Sequence, residues 1–96
     1  MPEAATKNGG LVLRLYIAGN APNSLSAIDN VKAICEAHFA DGHELEIVDS
    51  LTDPRRALAD GIIVTPTLLK LYPLPVQRLI GNLSDARQVV LALSHK

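Results

Sequence analysis

The chain has 96 residues, a net charge of -1, 48% hydrophobic residues and one cysteine, with two tyrosines, one phenylalanine and no tryptophan. A chain of this length forms one domain with a small, mainly aliphatic core, and its balanced charge excludes a broad electrostatic attraction to nucleic acid or anionic lipid. It has neither a second cysteine for an internal disulfide nor an apolar run near the roughly 20 residues that span a bilayer, so we expect a cytoplasmic protein that binds neither nucleic acid nor membrane.

Residues 1–10 are small and polar and lack the apolar segment of a signal peptide. We expect them to form a disordered tail, followed by one domain over residues 11–96. LVLRLYIAG, residues 11–19, is almost continuously apolar, which is typical of a strand buried on both faces. Arg14 is the exception, and it is expected near one end or one edge of that strand.

A helix and a second strand follow. Pro22 fixes the entry of the chain into the helix, and Asn23 or Ser24 is expected to cap it. Apolar residues at steps of three and four predict a buried stripe that comprises Leu25, Ile28, Val31, Ile34, Cys35 and Phe39. HELEIVDS, residues 43–50, alternates as a half-buried or edge strand does. The two strands around this helix are expected to be parallel.

The second half predicts a short helix, two strands and a terminal helix. Asp53 before Pro54 is typical of a helix start. Pro66 belongs at the start of the strand TPTLLKLY, because proline cannot donate to a β-ladder. VQRLIG, residues 76–81, is expected to be a strand, and Ser84 is expected to cap the terminal helix. Both of these last segments are ambiguous, because VQRLIG also fits helix spacing and the VVL of the terminal helix also fits a strand.

The corner between the first strand and the first helix reads AGNAPNS. Thioredoxin-type proteins carry a Cys-x-Pro-Cys redox pair at such a corner, whereas the four residues here are Asn20, Ala21, Pro22 and Asn23. An amide has no redox couple and is a poor nucleophile, so thiol–disulfide exchange is excluded at this position. Asn20 and Asn23 are either part of a recognition corner beside Pro66 or simply a turn residue and a helix cap.

Three blocks of sequence carry a resemblance to a known family. LRLYIAGNAPNS, VDSLTDPRRA and TPTLLKLYPLPVQRLIGNLS are similar to the KaiB family of circadian clock proteins, and the similarity extends over residues 11–94. The resemblance implies an α/β, thioredoxin-like βαβαββα fold in three layers; the alternative within the family is a tetramer with a rearranged C-terminal half. It also implies a binding protein without catalytic residues, cofactor or metal. Such a protein docks on the ATPase ring of KaiC, a RecA-like hexamer, modulates it, and can engage the activator KaiA.

The resemblance also implies which residues contact partners. Lys70 and Arg78 match basic positions of the family, Glu46 stands where a lysine is common, and Asn20 and Asn23 form the corner. Considered without the resemblance, the scattered basic residues fit a solvated surface equally well. The second strand adds a possible docking edge, because an edge strand offers unpaired backbone groups to a partner.

Five positions are predicted to influence the choice between the two folds of the family. Pro66, Pro73 and Pro75 are either ordinary turn residues or slow cis–trans steps that gate the rearrangement, and Gly81 ends the last strand. Ala92 stands where many family members have glycine, and alanine favours a helix over glycine by about 1 kcal/mol. The thioredoxin-like form is therefore expected to dominate.

Two other function classes stay open. One is a thioredoxin-like sensor or interaction domain linked to a two-component histidine kinase, which the resemblance also covers. The other is a redox enzyme, against which the missing Cys-x-Pro-Cys argues. Cys35 lies on the apolar helix stripe and is expected to be a small buried hydrophobe, and the spacing of His38 and His43 is not typical of metal ligands. The oligomeric state, whether monomer, dimer or tetramer, is left open.

Overall fold

The computed structural model describes residues 10–94 as an α/β unit whose elements follow the predicted order. In chain order they are β1 (Leu11–Ile17), α1 (Pro22–His38), β2 (His43–Asp49), α2 (Pro54–Ala59), β3 (Thr67–Tyr72), β4 (Gln77–Ile80) and α3 (Ala86–Ser94). Residues 1–9 of the predicted tail lie outside the described part of the chain, whereas Gly10 is described and is buried. At the other end, residues 95–96 also lie outside the described part.

Four strands form one sheet in the order β2-β1-β3-β4. β1 runs parallel to β2, as predicted, and antiparallel to β3, which in turn runs antiparallel to β4. β1 is flanked on both sides and mostly buried, which agrees with its nearly continuous apolar sequence. β2 is an edge strand, as its alternating sequence predicts.

Helices cover both faces of the sheet, which confirms the three-layer α/β arrangement. α1 and α3 pack on one face over the main core, whose buried residues include Leu13, Leu15, Val31, Leu68 and Leu93. α2 packs on the other face over a smaller cluster, formed by Tyr16, Val48, Ala57 and Leu69. β1 contributes to both clusters because successive residues of a strand point to opposite faces.

The predicted cap of α1 is wrong. The helix begins at Pro22, so its N-cap residue is Ala21, and no side chain caps it. Asn23 therefore lies inside the first turn. The hydroxyl of Ser24 instead accepts a hydrogen bond from the N–H of Ala18 at 3.0 Å, so it closes the corner rather than the helix. Proline tolerates the first helical position because the N–H that it lacks would have no partner there.

The buried stripe of α1 is rotated slightly from its predicted position. Leu25 is 47% exposed, whereas Ser24 and Ala27 are buried. The buried positions then continue at steps of three and four, at Val31, Ile34 and Cys35. The apolar spacing thus predicts the helix correctly, but it does not predict that the small residues Ser24 and Ala27 are buried.

The terminal segment is helical, which resolves its ambiguity in favour of the thioredoxin-like arrangement. Ala92 lies within α3. The carboxylate of Asp85, rather than the predicted Ser84, accepts a hydrogen bond from the N–H of Gln88 at 3.2 Å. An acidic side chain at this end also complements the helix dipole.

The three prolines of the second half flank β3. Pro66 directly precedes β3, as predicted, and Pro73 and Pro75 lie in the turn between β3 and β4. The peptide bonds before all three are cis. Gly81 follows β4 with a φ of +116° and donates its N–H to Pro66 O at 3.0 Å. A positive φ of this size is a conformation that glycine adopts readily.

Candidate functional site

Four chain segments meet where the parallel strands β1 and β2 end. The N–H of Ser50, directly after β2, donates to Ile17 O at the end of β1 at 2.8 Å. β3 runs the opposite way and begins at the same end, where Thr67 pairs with both Tyr16 and Ile80. We call this region the carboxyl edge, and it comprises residues 18–25, 50–52, 63–66 and 80–82.

The predicted recognition corner forms part of the carboxyl edge. One carboxylate oxygen of Asp49 accepts the N–H groups of Gly19, at 3.1 Å, and of Leu51, at 2.9 Å. Gly19 has a φ of +56°, and a Cβ there would lie 3.2 Å from Leu51 Cδ1, so a larger residue would be strained. Asn20 and Asn23 are exposed on this fixed corner. Their side chains make no hydrogen bond with residues 10–94.

The carboxyl edge is uncharged and rich in exposed apolar side chains. None of its four segments contains Asp, Glu, Lys or Arg, although 20% of the chain is charged. Ile63 is 93% exposed. Half of the exposed large apolar side chains in the described part of the chain belong to this edge, namely Leu25, Leu51, Ile63, Val64 and Ile80. Such a concentration is typical of a protein-binding surface.

A contrasting set of side chains lies on the sheet face that α2 covers. Arg14 donates from Nε to Glu46 Oε1 at 3.0 Å and from Nη1 to Asp60 Oδ2 at 2.9 Å. Arg56 donates to both carboxylate oxygens of Glu46, at 2.6 and 2.9 Å. The hydroxyl of Tyr16 donates to Asp60 Oδ2 at 2.6 Å. We call these five residues the ionic face.

The predicted position of Arg14, near an end or an edge, is wrong. Arg14 is the fourth of the seven residues of β1, and it lies between Glu46 on β2 and Leu69 on β3. An arginine fits in the middle of this sheet because two carboxylates satisfy its guanidinium. In addition, α2 has only six residues, which leaves room for long side chains on this face.

The charges of the ionic face neutralise one another. Hydrogen bonds from Arg56 and then from Arg14 lower the pKa of Glu46 to about 2. Partial burial pushes the pKa of Asp60 upward, but the Tyr16 hydroxyl and the Arg14 guanidinium outweigh it and hold that pKa below its usual value. Burial, together with the bond to Asp60, raises the pKa of Tyr16. Two arginines therefore face two ionised carboxylates.

Two of the charged residues that were predicted to contact partners already have partners within the fold. Glu46 is exposed, but Arg14 and Arg56 occupy both of its oxygens. Arg78 on β4 donates to Asp60 O at 3.0 Å and to Gly61 O at 3.1 Å. Arg78 thereby ties β4 to the C-terminal end of α2.

Lys70 is not on a surface in this structure, which corrects its predicted place among the docking residues. It is 0% exposed and pairs with Leu13 in the sheet. Strand alternation explains this position, since Lys70 shares a face with Leu68, which belongs to the main core. Its ammonium group donates to Pro73 O in the turn that follows β3. Burial lowers the pKa of Lys70.

The remaining residues with chemical potential are Cys35 and the histidines. Cys35 is buried in the main core, as predicted, and burial raises the pKa of its thiol to about 11. A thiol held in its neutral form is a poor nucleophile. Among residues 10–94, no three His, Cys, Asp or Glu side chains are placed to hold a metal ion. Every helix in that range is too short or too polar to traverse a bilayer.

The sequence reasoning overlooked most of both regions. Ile63 was not singled out, although the uncharged run over residues 61–69 is visible in the sequence. The pairing of Arg14 with Glu46 could have been inferred from two parallel strands in the correct register, which sets these residues opposite each other. No local signal points to Asp60, which comes from a different element of the fold.

Comparison with known proteins gives matches over most of the chain. A family model described as the KaiB domain matches residues 14–95. The chain is 46% identical over 82 residues to the circadian clock oscillator protein KaiB of Synechococcus elongatus, and the aligned region covers 85% of this chain and 80% of that relative. It is 47% identical over 83 residues to the circadian clock protein KaiB3 of Synechocystis sp., with coverage of 86% and 81%.

Solved structures confirm the thioredoxin-like fold. The N-terminal domain of Synechococcus elongatus SasA matches with a TM-score of 0.73 and 26% identity, over 100% of this chain and 95% of that domain. Chloroplastic thioredoxin z matches with a TM-score of 0.73 and 16% identity, over 94% of this chain and 80% of that protein. At such low identity the second match bears on the fold alone.

Proposed function

This chain belongs to the KaiB family, and from that premise we propose that it is a non-catalytic protein that binds a KaiC-type, RecA-like ATPase ring. Binding modulates the activity of the ring, in a circadian system or in a timing or stress system derived from one. The named relatives are circadian clock proteins. The proposal transfers that role to this chain.

The carboxyl edge is the observation that carries the proposal. It presents exposed apolar side chains without charge, and the amides of Asn20 and Asn23 stand where a redox enzyme would need thiols. The chain's one cysteine, Cys35, is buried. An edge with these groups can recognise another protein, but it cannot exchange disulfides.

Solution mass of mixtures tests the proposal. The purified chain is mixed with the KaiC-type ring encoded in its own genome, once with ATP and once with ADP, and each mixture is examined by size-exclusion chromatography with light scattering. We expect a complex in at least one nucleotide state. The absence of a complex in both states would remove the proposed function. The same instrument gives the mass of the free chain and so distinguishes monomer, dimer and tetramer.

An activity assay tests the non-catalytic part of the proposal separately. In an insulin-reduction assay the chain is expected to show no disulfide reductase activity. Cys35→Ser serves as the matched variant, because it removes the one thiol of the chain. Reductase activity of the parent chain that is lost in this variant would contradict a purely binding role, because disulfide reduction needs a thiol.

A KaiA-type activator is a second proposed partner, and β2 is the element that would contact it. β2 lies at the edge of the sheet, so one row of its backbone groups faces away from β1. A partner strand could add to that row. Glu46, which is exposed on β2, would lie beside the added strand. The measurement is whether the amides of β2 become protected from hydrogen exchange when the activator is added to the complex.

The second candidate function is that of an interaction domain for a two-component histidine kinase. The family resemblance also covers such domains, and the SasA N-terminal domain shares the fold over the whole of this chain. Binding to the transmitter region of a kinase encoded nearby would support this candidate. Binding to the ATPase ring without binding to any kinase would favour the first.

The rearranged form of the family remains a proposal for this chain. The residues proposed to govern it are Pro66, Pro73, Pro75, Gly81 and Ala92. Ala92→Gly disfavours α3 by about 1 kcal/mol, so it is expected to raise the population of any form in which residues 84–94 are not helical. Backbone NMR shifts of those residues report the change. Helical shifts that are unaltered in the variant would argue against a role for Ala92.

A further inference from the structure

The segment that joins α2 to β3 leaves successive backbone groups unpaired. Within residues 10–94, the N–H groups of Ile63, Val64 and Thr65 donate to no acceptor. The carbonyl of Val64 is occupied, since it accepts the hydroxyl of Thr67 at 2.7 Å. The carbonyls of Ile63 and Thr65 accept no bond from that part of the chain. The residues with both groups unpaired are therefore two positions apart.

This spacing matches the way in which a strand pairs with a neighbour. In an antiparallel pair, alternate residues exchange both N–H···O bonds with the residue opposite. Thr65 precedes Pro66, and the residue before a proline is sterically pushed toward extended backbone angles. A helix surface could not satisfy these donors, because its carbonyls are already bonded within the helix. The groups fit an extended chain.

The surroundings of the segment restrict the chemistry of that chain. Ile63 and Val64 are exposed, and the other segments of the carboxyl edge add apolar side chains and the amides of Asn20 and Asn23. No charged side chain belongs to any of them. Burying a charged residue of the partner against such a surface would be costly, because the four segments supply no opposite charge and the neighbouring carboxylate of Asp49 already accepts the N–H groups of Gly19 and Leu51.

From these observations we infer that Ile63–Thr65 pairs, backbone to backbone, with an extended, uncharged and apolar segment of the partner protein. The inference rests on the proposed function, in which that partner is the ATPase ring. It adds which part of this chain makes the contact and which type of segment on the ring receives it. Ile63 and Val64 contribute apolar contacts, and the main chain of Ile63 and Thr65 contributes the hydrogen bonds.

Hydrogen exchange of the complex tests the backbone contact directly. The purified ring is the probe, and exchange is read by mass spectrometry with fragmentation that resolves single amides. In the free chain the amides of residues 63–65 are expected to exchange as unprotected groups, and in the complex the exchange of the Ile63 and Thr65 amides is expected to slow by about tenfold or more. If the ring binds but these two amides stay unprotected, the inference is overturned while the proposed function stands. If the ring does not bind at all, both fall.

A matched pair of variants tests the side-chain contact. Ile63→Asp places a charge at the carboxyl edge, and Leu74→Asp makes a similar change in the turn at the opposite end of β3; the two side chains are 93% and 68% exposed. Ile63→Asp is expected to raise the dissociation constant for the ring by about tenfold or more, and Leu74→Asp by less than about twofold. Equal effects of the two variants would overturn the inference. Both unfolding midpoints should remain close to that of the parent chain, since neither side chain is buried.

Discussion

The carboxyl edge and the ionic face belong to the same small sheet but hold opposite kinds of groups. The edge has exposed apolar side chains, and its four segments contain no charged residue. It also has two side-chain amides and several backbone groups that bond to none of residues 10–94. The ionic face has two arginines and two carboxylates, whose hydrogen-bonding groups are engaged with one another or with Tyr16. The charges of the ionic face are thus used to hold the fold together, whereas the carboxyl edge offers uncharged groups to a partner.

If that division is correct, the largest effect on stability comes from the ionic face. Asp60→Ala removes the acceptor of one Arg14 nitrogen and the nearer acceptor of the Tyr16 hydroxyl, which is also 3.1 Å from Arg56 O. Hydrogen bonds to charged groups contribute about 1.5–3 kcal/mol each when their partner is lost, so we expect the free energy of unfolding to fall by about 2 kcal/mol in urea titrations.

The control for this variant is Asp29→Ala. Asp29 is exposed on α1 and makes no ion pair with the described residues. Its replacement is expected to change the free energy of unfolding by less than about 0.5 kcal/mol. Equal losses for Asp60→Ala and Asp29→Ala would mean that the ionic face does not stabilise the protein.

Acid provides a second way to separate the two regions. The pKa of Glu46 is lowered to about 2 from an ordinary 4.5, and that of Asp60 is lowered from an ordinary 3.8. A lowered pKa in the folded state stabilises the protein above the unfolded pKa, and this contribution is lost as the pH falls through the folded one. The free energy of unfolding measured in urea is therefore expected to fall as the pH is lowered from about 5 to about 2.

The double variant Glu46→Gln/Asp60→Asn should flatten this dependence. Ile63→Ser at the carboxyl edge is the comparison, because it leaves both carboxylates in place and should keep the slope of the parent chain. A double variant with an unchanged slope would show that other carboxylates cause the acid sensitivity.

The same division explains how much the sequence could predict. The order of elements and the parallel β1–β2 pair followed from local periodicity, because each depends on residues close together in the chain. The ionic face joins Arg14, Glu46 and Asp60 from three elements, so it appears only once register and packing are known. The burial of Lys70 was missed for the same reason, since a lysine in an apolar strand can lie on either face until its neighbours are placed.

A smaller effect is expected from Tyr16→Phe, which keeps the buried ring and removes only the hydroxyl. The loss of the 2.6 Å bond to Asp60 is expected to lower the free energy of unfolding by about 1 kcal/mol. Tyr72→Phe is the matched control, since the Tyr72 hydroxyl makes no hydrogen bond with residues 10–94. A loss in Tyr72→Phe as large as that in Tyr16→Phe would assign the effect to the ring and not to the network.

The smallest effect on stability belongs to the carboxyl edge, where Asn23→Ala removes an exposed amide that bonds to no described residue. Asn23 lies in the first turn of α1, and alanine is the better helix former, so the free energy of unfolding should stay within about 0.5 kcal/mol of the parent value. Binding to the ATPase ring should nevertheless weaken. Gln88→Ala removes a side-chain amide at an exposed position of α3. It should alter neither the free energy of unfolding nor the affinity for the ring. A substitution in a recognition surface is expected to weaken binding without lowering the stability of the fold. If Asn23→Ala left the affinity for the ring unchanged, that result would contradict a role of Asn23 in recognition.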